Sequence, residues 1–168
     1  LLEVTRFDRQ GRFGRLPMLS LKTIDLEFFG HLDNWIAAAS RLENSAMLSV
    51  EGATHLRWLS VFSSLIANTD QHFGNISLIM QDGRRHFSLA PAYDILPMMY
   101  RPQEDGVPAR TFSPRIDIAS QALDLFPDAL DWATRFWEEA AVDPRITEGF
   151  REVCRENSDT VRSLIGGP

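Results

Sequence analysis

Between two apolar runs the chain reads Asn68-Thr69-Asp70-Gln71-His72-Phe73-Gly74-Asn75, which places an asparagine five residues after an aspartate. That D-x-x-x-x-N spacing has a mechanical meaning. The aspartate can orient a hydroxyl nucleophile, and the asparagine, displaced along the turn, can hold a metal through its amide oxygen. Two oxygens hold Mg²⁺ weakly, so a third is expected. Asp94 in LAPAYDIL supplies it, with apolar neighbours to fix its position. On residue types alone another reading stays open, in which Asp70 and Asn75 serve helix-end and turn chemistry and Asp94 sits in a β-turn.

Elements must bring these groups together. Leu1 to Phe7 reads as a short strand and Asp8 to Arg15 as a Gly/Arg-rich turn. GRFGR is no phosphate loop, because it lacks both the GxGxxG spacing and a Gly-Lys-Ser/Thr ending. Helical spacing of Leu32, Trp35, Ile36, Ala39 and Leu42 predicts an amphipathic helix from His31 to Glu43. Leu56, Leu59, Phe62, Leu65 and Ile66 predict a second from Glu51 to Ala67, with Ser49 as N-cap. After Asn75 the period changes, and Asp82-Gly83 between ISLIM and RHFSLA signals a β-hairpin. Leu96 to Pro114, with four prolines, reads as a long loop. Two helices follow: Asp128 to Ala141, then Pro144 to Ile165 capped by Asp143 and breaking near Asn157-Ser158. The fold class is therefore α+β, mainly helical, with an N-terminal strand and one hairpin.

Composition narrows the function classes. With 168 residues, 44% of them hydrophobic, the chain can bury a core. A net charge of −6 has the wrong sign for gathering nucleic acid, so no direct nucleic-acid binding is expected. Lys22 is the single lysine, and any mechanism needing one has that candidate alone. The lone Cys154 permits no intrachain disulfide, fits a reducing compartment and reads as core filler. No apolar run approaches the roughly 18 residues that span a bilayer, which points to a cytoplasmic protein without a membrane partner. The opening Leu-Leu-Glu-Val, without an initiator methionine, reads as a strand already inside a fold, hence a fragment.

The ordered set of helix, Asp70, Asn75, hairpin and Asp94 parallels the catalytic loop and metal-binding aspartate of protein kinases. More specifically, NTDQHFGN followed by SLAPAYDIL resembles the signature of the HipA-type kinases, bacterial toxin Ser/Thr kinases of toxin–antitoxin systems, with its N-x-D-x-H-x-x-N and P-x-Y-D segments. LLEVTRFDR resembles their hinge strand, so the resemblance runs from the first residues to at least Leu96. It implies the C-terminal lobe of a kinase-like fold over residues 1–168, without the N-terminal lobe: hinge strand and turn at 1–15, helices at 31–67, catalytic loop, hairpin and metal segment at 68–95, a long loop at 96–114 and helices at 115–168. It implies ATP and Mg²⁺ as cofactors, Asp70 as catalytic aspartate, Asn75 and Asp94 as Mg²⁺ ligands, and His72 as a motif position near the phosphates. Thr5 to Phe7 would meet the adenine through the hinge backbone. The implied partners are a protein substrate, with aminoacyl-tRNA synthetases as precedent, and a helix-turn-helix antitoxin.

This sequence departs from the family pattern at two places. Thr5 stands where Glu is common, and Gly74 where many members carry Lys, which removes a positive charge from the neighbourhood of the transferring phosphate. A kinase also needs a phosphate-covering loop and a strand lysine before the hinge, so residues 1–168 alone are expected to transfer phosphate poorly or not at all. Two other classes stay open: a kinase-like module that binds without transfer, and a metal-dependent phosphoesterase or nuclease, suggested by Asp70-Gln71-His72.

Overall fold

A computed structural model describes residues 6–81, 85–103, 110–114 and 122–166. Among these the fold is α+β and mainly helical, and the chain divides into two compact units, Leu1–Leu56 with His72–Asp94, and Arg57–Gln71 with Ile95–Pro168.

The first unit holds two small antiparallel sheets. β1 (Arg9–Gln10) and β2 (Gly14–Arg15) form a hairpin inside the expected turn. β3 (Met18–Ser20), β4 (Ser77–Gln81) and β5 (His86–Leu89) form the second sheet in that order, with Leu19 opposite Leu78 and Leu78 opposite Leu89. The expected β4–β5 hairpin is present, while its Asp82-Gly83 turn lies outside the described residues, as do residues 1–5 of the expected hinge strand. Leu78 and Phe87 are buried, as is Ser77 beside Leu78.

β3 and the helix that follows it, α1 (Leu21–Phe28), match no element expected from the sequence. Eight residues are too few for a persuasive periodic pattern. The local signal was Ser20, whose side chain accepts the Thr23 N–H as an N-cap. α2 runs from Trp35 to Asn44, starting later than expected, because Asn34 is its N-cap and residues 31–32 are tied elsewhere. Buried Asp25 accepts the N–H groups of His31 and Leu32, each at 2.9 Å, and also Arg41 Nη2 at 2.9 Å. Leu32 is held at φ +47°, which no helix can contain.

α3 (Val50–Leu65) starts in the first unit and continues in the second. Ser49 caps it as expected, its Oγ accepting the Gly52 N–H at 3.1 Å. The second unit is built on the rest of α3, α4 (Phe126–Val142) and α5 (Glu148–Arg162). Trp137 is fully buried, donates its indole N–H to the Leu65 carbonyl at 3.0 Å, and meets the Tyr100 ring edge-on. Cys154 is buried on α5, as expected of core filler, and desolvation pushes its thiol up to about 11.

Two expectations for the last helix fail. Asp143 does not cap it: its carboxylate takes the Arg145 N–H and guanidinium in a local turn, and the helix begins after Thr147. Nor does it break at Asn157-Ser158. Both side chains are buried, and Asn157 Oδ1 accepts the Tyr100 hydroxyl at 3.0 Å instead of competing for the helix backbone.

Candidate functional site

Asp70 belongs to the second unit, whereas Phe7, His72, Asn75 and Asp94 belong to the first. Thr5 lies outside the described residues.

The Asp70 loop is shaped by its neighbours. α3 stops at Leu65, and Ala67 turns the chain with φ +58°. Asn68 is buried, and its Oδ1 accepts the Asp70 N–H at 2.9 Å in an Asx turn. Gln71 is held from the other side, donating to Ser64 Oγ at 3.1 Å and accepting from Ser60 Oγ at 3.2 Å. Met99 N–H bonds the Ala67 carbonyl at 3.0 Å, so the start of the long loop secures the base of the turn. The half-buried Asp70 side chain therefore leaves a backbone fixed on both sides by buried or half-buried amides.

His72 opens a single 3₁₀ turn, Phe73–Asn75. Its Nδ1 accepts the Gly74 N–H at 3.0 Å, so the neutral ring carries its proton on Nε2. Its carbonyl accepts the Asn75 N–H at 3.1 Å and the Trp35 indole N–H at 3.3 Å. Phe73 and Asn75 are buried, and Ile76 extends directly into β4. A Cβ at position 74 would lie 2.9 Å from His72 Cε1 and 3.0 Å from Nδ1, so the imidazole occupies the space a side chain there would need.

Tyr93 links this turn to Asp94. Its hydroxyl donates to the Gly74 carbonyl at 3.1 Å, and Ser77 Oγ, 2.7 Å away, donates to it in turn. Phe7 stacks on the Tyr93 ring with centroids 6.2 Å apart. Asp94, next along the chain, is exposed and left-handed at φ +56°, a conformation that Asp adopts more readily than most side chains. In the first unit, then, the segments carrying Phe7, Asn75 and Asp94 converge on one tyrosine. The bridging role of Tyr93, like that of Trp35, depends on partners distant in the chain and has no local signal.

Asn75 and Asp94 offer an amide oxygen and a carboxylate, a hard-oxygen set suited to Mg²⁺ with several retained waters. Among the described residues no three His, Cys, Asp or Glu gather as a thiolate- or imidazole-type centre would require. No described helix is long and apolar enough to cross a membrane.

A family model, the HipA-like C-terminal domain, matches residues 1–161. The chain belongs to this family. It is 33% identical over 164 residues to Toxin YjjJ of Escherichia coli (strain K12), a match covering 97% of this chain and 36% of that protein. The chain thus spans about a third of the length of the curated relative it matches. In this HipA-like domain the motif residues read from the sequence fall on three segments just described: Asp70 after an Asx turn, His72 to Asn75 in the capped 3₁₀ turn, and Tyr93-Asp94 bound back to that turn.

Proposed function

We propose that the protein containing this domain is an ATP-dependent Ser/Thr protein kinase of the HipA toxin type, and that residues 1–168 supply the lobe carrying its base and metal ligands. The observation that carries this reading is the ordered trio Asp70, Asn75 and Asp94, which the sequence resemblance sets at motif positions within a chain that matches the HipA-like domain, on loops whose backbones are fixed by side chains outside the trio. Asp70 accepts the hydrogen bond of the substrate hydroxyl, orients it and receives its proton. Asn75 Oδ1 and the Asp94 carboxylate hold Mg²⁺, which when bound neutralises charge on the ATP phosphates. His72 presents its Nε2 proton as a donor toward the phosphates, and the backbone around Thr5 to Phe7 receives the adenine. The acceptor is a protein hydroxyl, with aminoacyl-tRNA synthetases as family precedent, and a helix-turn-helix antitoxin is the regulatory partner. In the full-length protein, Asp70→Asn is expected to lower transfer from labelled ATP by about 10²–10⁴-fold with an unchanged circular dichroism spectrum. Undiminished transfer would refute the assignment.

One observation favours a second reading, a kinase-like module that binds Mg²⁺-ATP and transfers little. Position 74 lacks the lysine that many family members carry, and the His72 ring fills the space beside it. Calorimetry with Mg²⁺-ATP beside the transfer assay separates the two, since binding without transfer selects the module.

A further inference from the structure

The β1–β2 hairpin is exposed along its whole length from Arg9 to Arg15. It is nonetheless built to a pattern. Gly11 takes φ +59° in its turn, and a Cβ at Gly14 would lie 2.3 Å from the Gln10 carbonyl oxygen, so only glycine fits there. Its charges are arranged against its own stability. Arg9 stands directly opposite Arg15, and like charges in that position destabilise an antiparallel pair. Asp8 is engaged by Arg6 at 2.6 Å and lies 3.9 Å from Arg9 Nε, while Arg12 and Arg15 form no ion pair with another described residue. Phe13, between them, is 85% exposed, with the Arg12 guanidinium 5.1 Å from its ring centroid. A two-stranded hairpin is marginal in water even without such repulsion. A partner bringing negative charge between Arg9 and Arg15 and an apolar group to Phe13 would offset both liabilities.

The hairpin's position indicates which partner. Leu16 N–H closes it onto the Asp8 carbonyl at 2.9 Å, and one residue earlier Phe7 stacks on Tyr93, the neighbour of Asp94. The hairpin therefore begins two residues after a ring that stacks on the chain neighbour of the proposed metal ligand. Charge decides the length of the bound segment. With a net charge of −6, the chain repels a long polyanion beyond the reach of these three arginines, whereas a short acidic stretch confines its charge to the hairpin.

We infer that the hairpin Arg9–Arg15 is a docking surface for an acidic segment of the protein substrate, with carboxylates on Arg9, Arg12 and Arg15 and an apolar side chain on Phe13. The inference rests on the kinase reading for its context, but its test does not use ATP. Binding of fluorescein-labelled peptides to the 168-residue chain is followed by anisotropy. A short Glu-rich peptide with one Leu is compared with its Gln counterpart and with an oligonucleotide of equal length. The Glu peptide is expected to bind at least about tenfold more tightly than the Gln peptide, with affinity falling as salt rises from about 0.05 to about 0.5 M. Arg15→Glu places a carboxylate opposite Arg9, so it should raise the thermal midpoint slightly while weakening the Glu peptide about tenfold. Phe13→Ser, which leaves every charge in place, should weaken both peptides alike. Equal binding of the Glu and Gln peptides overturns the inference, as does an Arg15→Glu variant with undiminished affinity. Tighter binding of the oligonucleotide than of the Glu peptide overturns the choice of partner. Asp70→Asn should leave peptide binding unchanged, so failure of the docking surface and failure of the transfer reading give different results.

Discussion

Asp25→Ala should be among the most damaging single changes in the first unit. The carboxylate is 1% exposed and satisfies three donors, the His31 and Leu32 N–H groups and Arg41 Nη2, each at 2.9 Å. Breaking a buried ion pair by deleting one partner typically costs about 3–5 kcal/mol. The low end applies here for two reasons. Arg41 keeps Asp33 through two hydrogen bonds, at 2.7 and 2.8 Å, and residues 31–32 lie near enough to water to recover part of their lost bonding. A loss of about 3 kcal/mol corresponds to a fall of about 6–12 °C in the thermal midpoint for a chain of this size. Arg41→Ala should cost about 2–3 kcal/mol, because it leaves the buried Asp25 carboxylate with only two backbone donors. The double variant should cost clearly less than the sum of the two, since neither charge is then left alone. Urea denaturation of the three variants measures these terms. The same clamp sets the entry to α2, where Trp35 holds the His72 carbonyl, so amide exchange at 72–75 should also quicken in Asp25→Ala. A loss below about 1 kcal/mol, or a strictly additive double variant, would refute the reasoning.

Three further outcomes are expected. Tyr93→Phe removes the hydroxyl that joins Gly74 and Ser77, and should cost about 1–2 kcal/mol with faster amide exchange at 74–77, measured by NMR. Gly74→Ala should cost less than about 1 kcal/mol, because the exposed His72 ring can swing away; the loss of its Nδ1 bond should show as a changed imidazole ¹⁵N spectrum. Hydrogen bonds from Arg41 hold the Asp33 carboxyl down at about 2. A depressed folded-state value means that this contribution is complete above the unfolded value near 3.9 and is lost as pH falls toward 2. Urea midpoints measured between about pH 4 and 2 should therefore fall less steeply in Asp33→Asn than in the parent.

Legibility followed the range of the interactions. Long amphipathic stripes announced α3 and α4 to within two residues of their ends, because helix burial is periodic and local. The change of period after Asn75 and the Asp82-Gly83 turn signal announced β4 and β5. The start of α5 was misjudged where two local motifs competed. Asp143-Pro144 carries a good start signal, yet Arg145 captured the aspartate first. α1 and β3 escaped because each is short and finds its support in β4 and Ile76, dozens of residues away.

The sequence by itself determined the helix stripes, the β4–β5 hairpin and the spacing of Asp70, Asn75 and Asp94, because these depend on side-chain types at fixed short separations. It also carried the family signature. Tertiary structure alone decided how the signature loops are held: Trp35 on the His72 carbonyl, Tyr93 on the Gly74 carbonyl, and Asp25 on the turn before α2. Those bonds join residues from 6 to 37 positions apart, and their geometry exists only after the chain has folded back on itself. A hydrogen bond is directional over a few tenths of an ångström, whereas a residue pattern specifies only which face is buried.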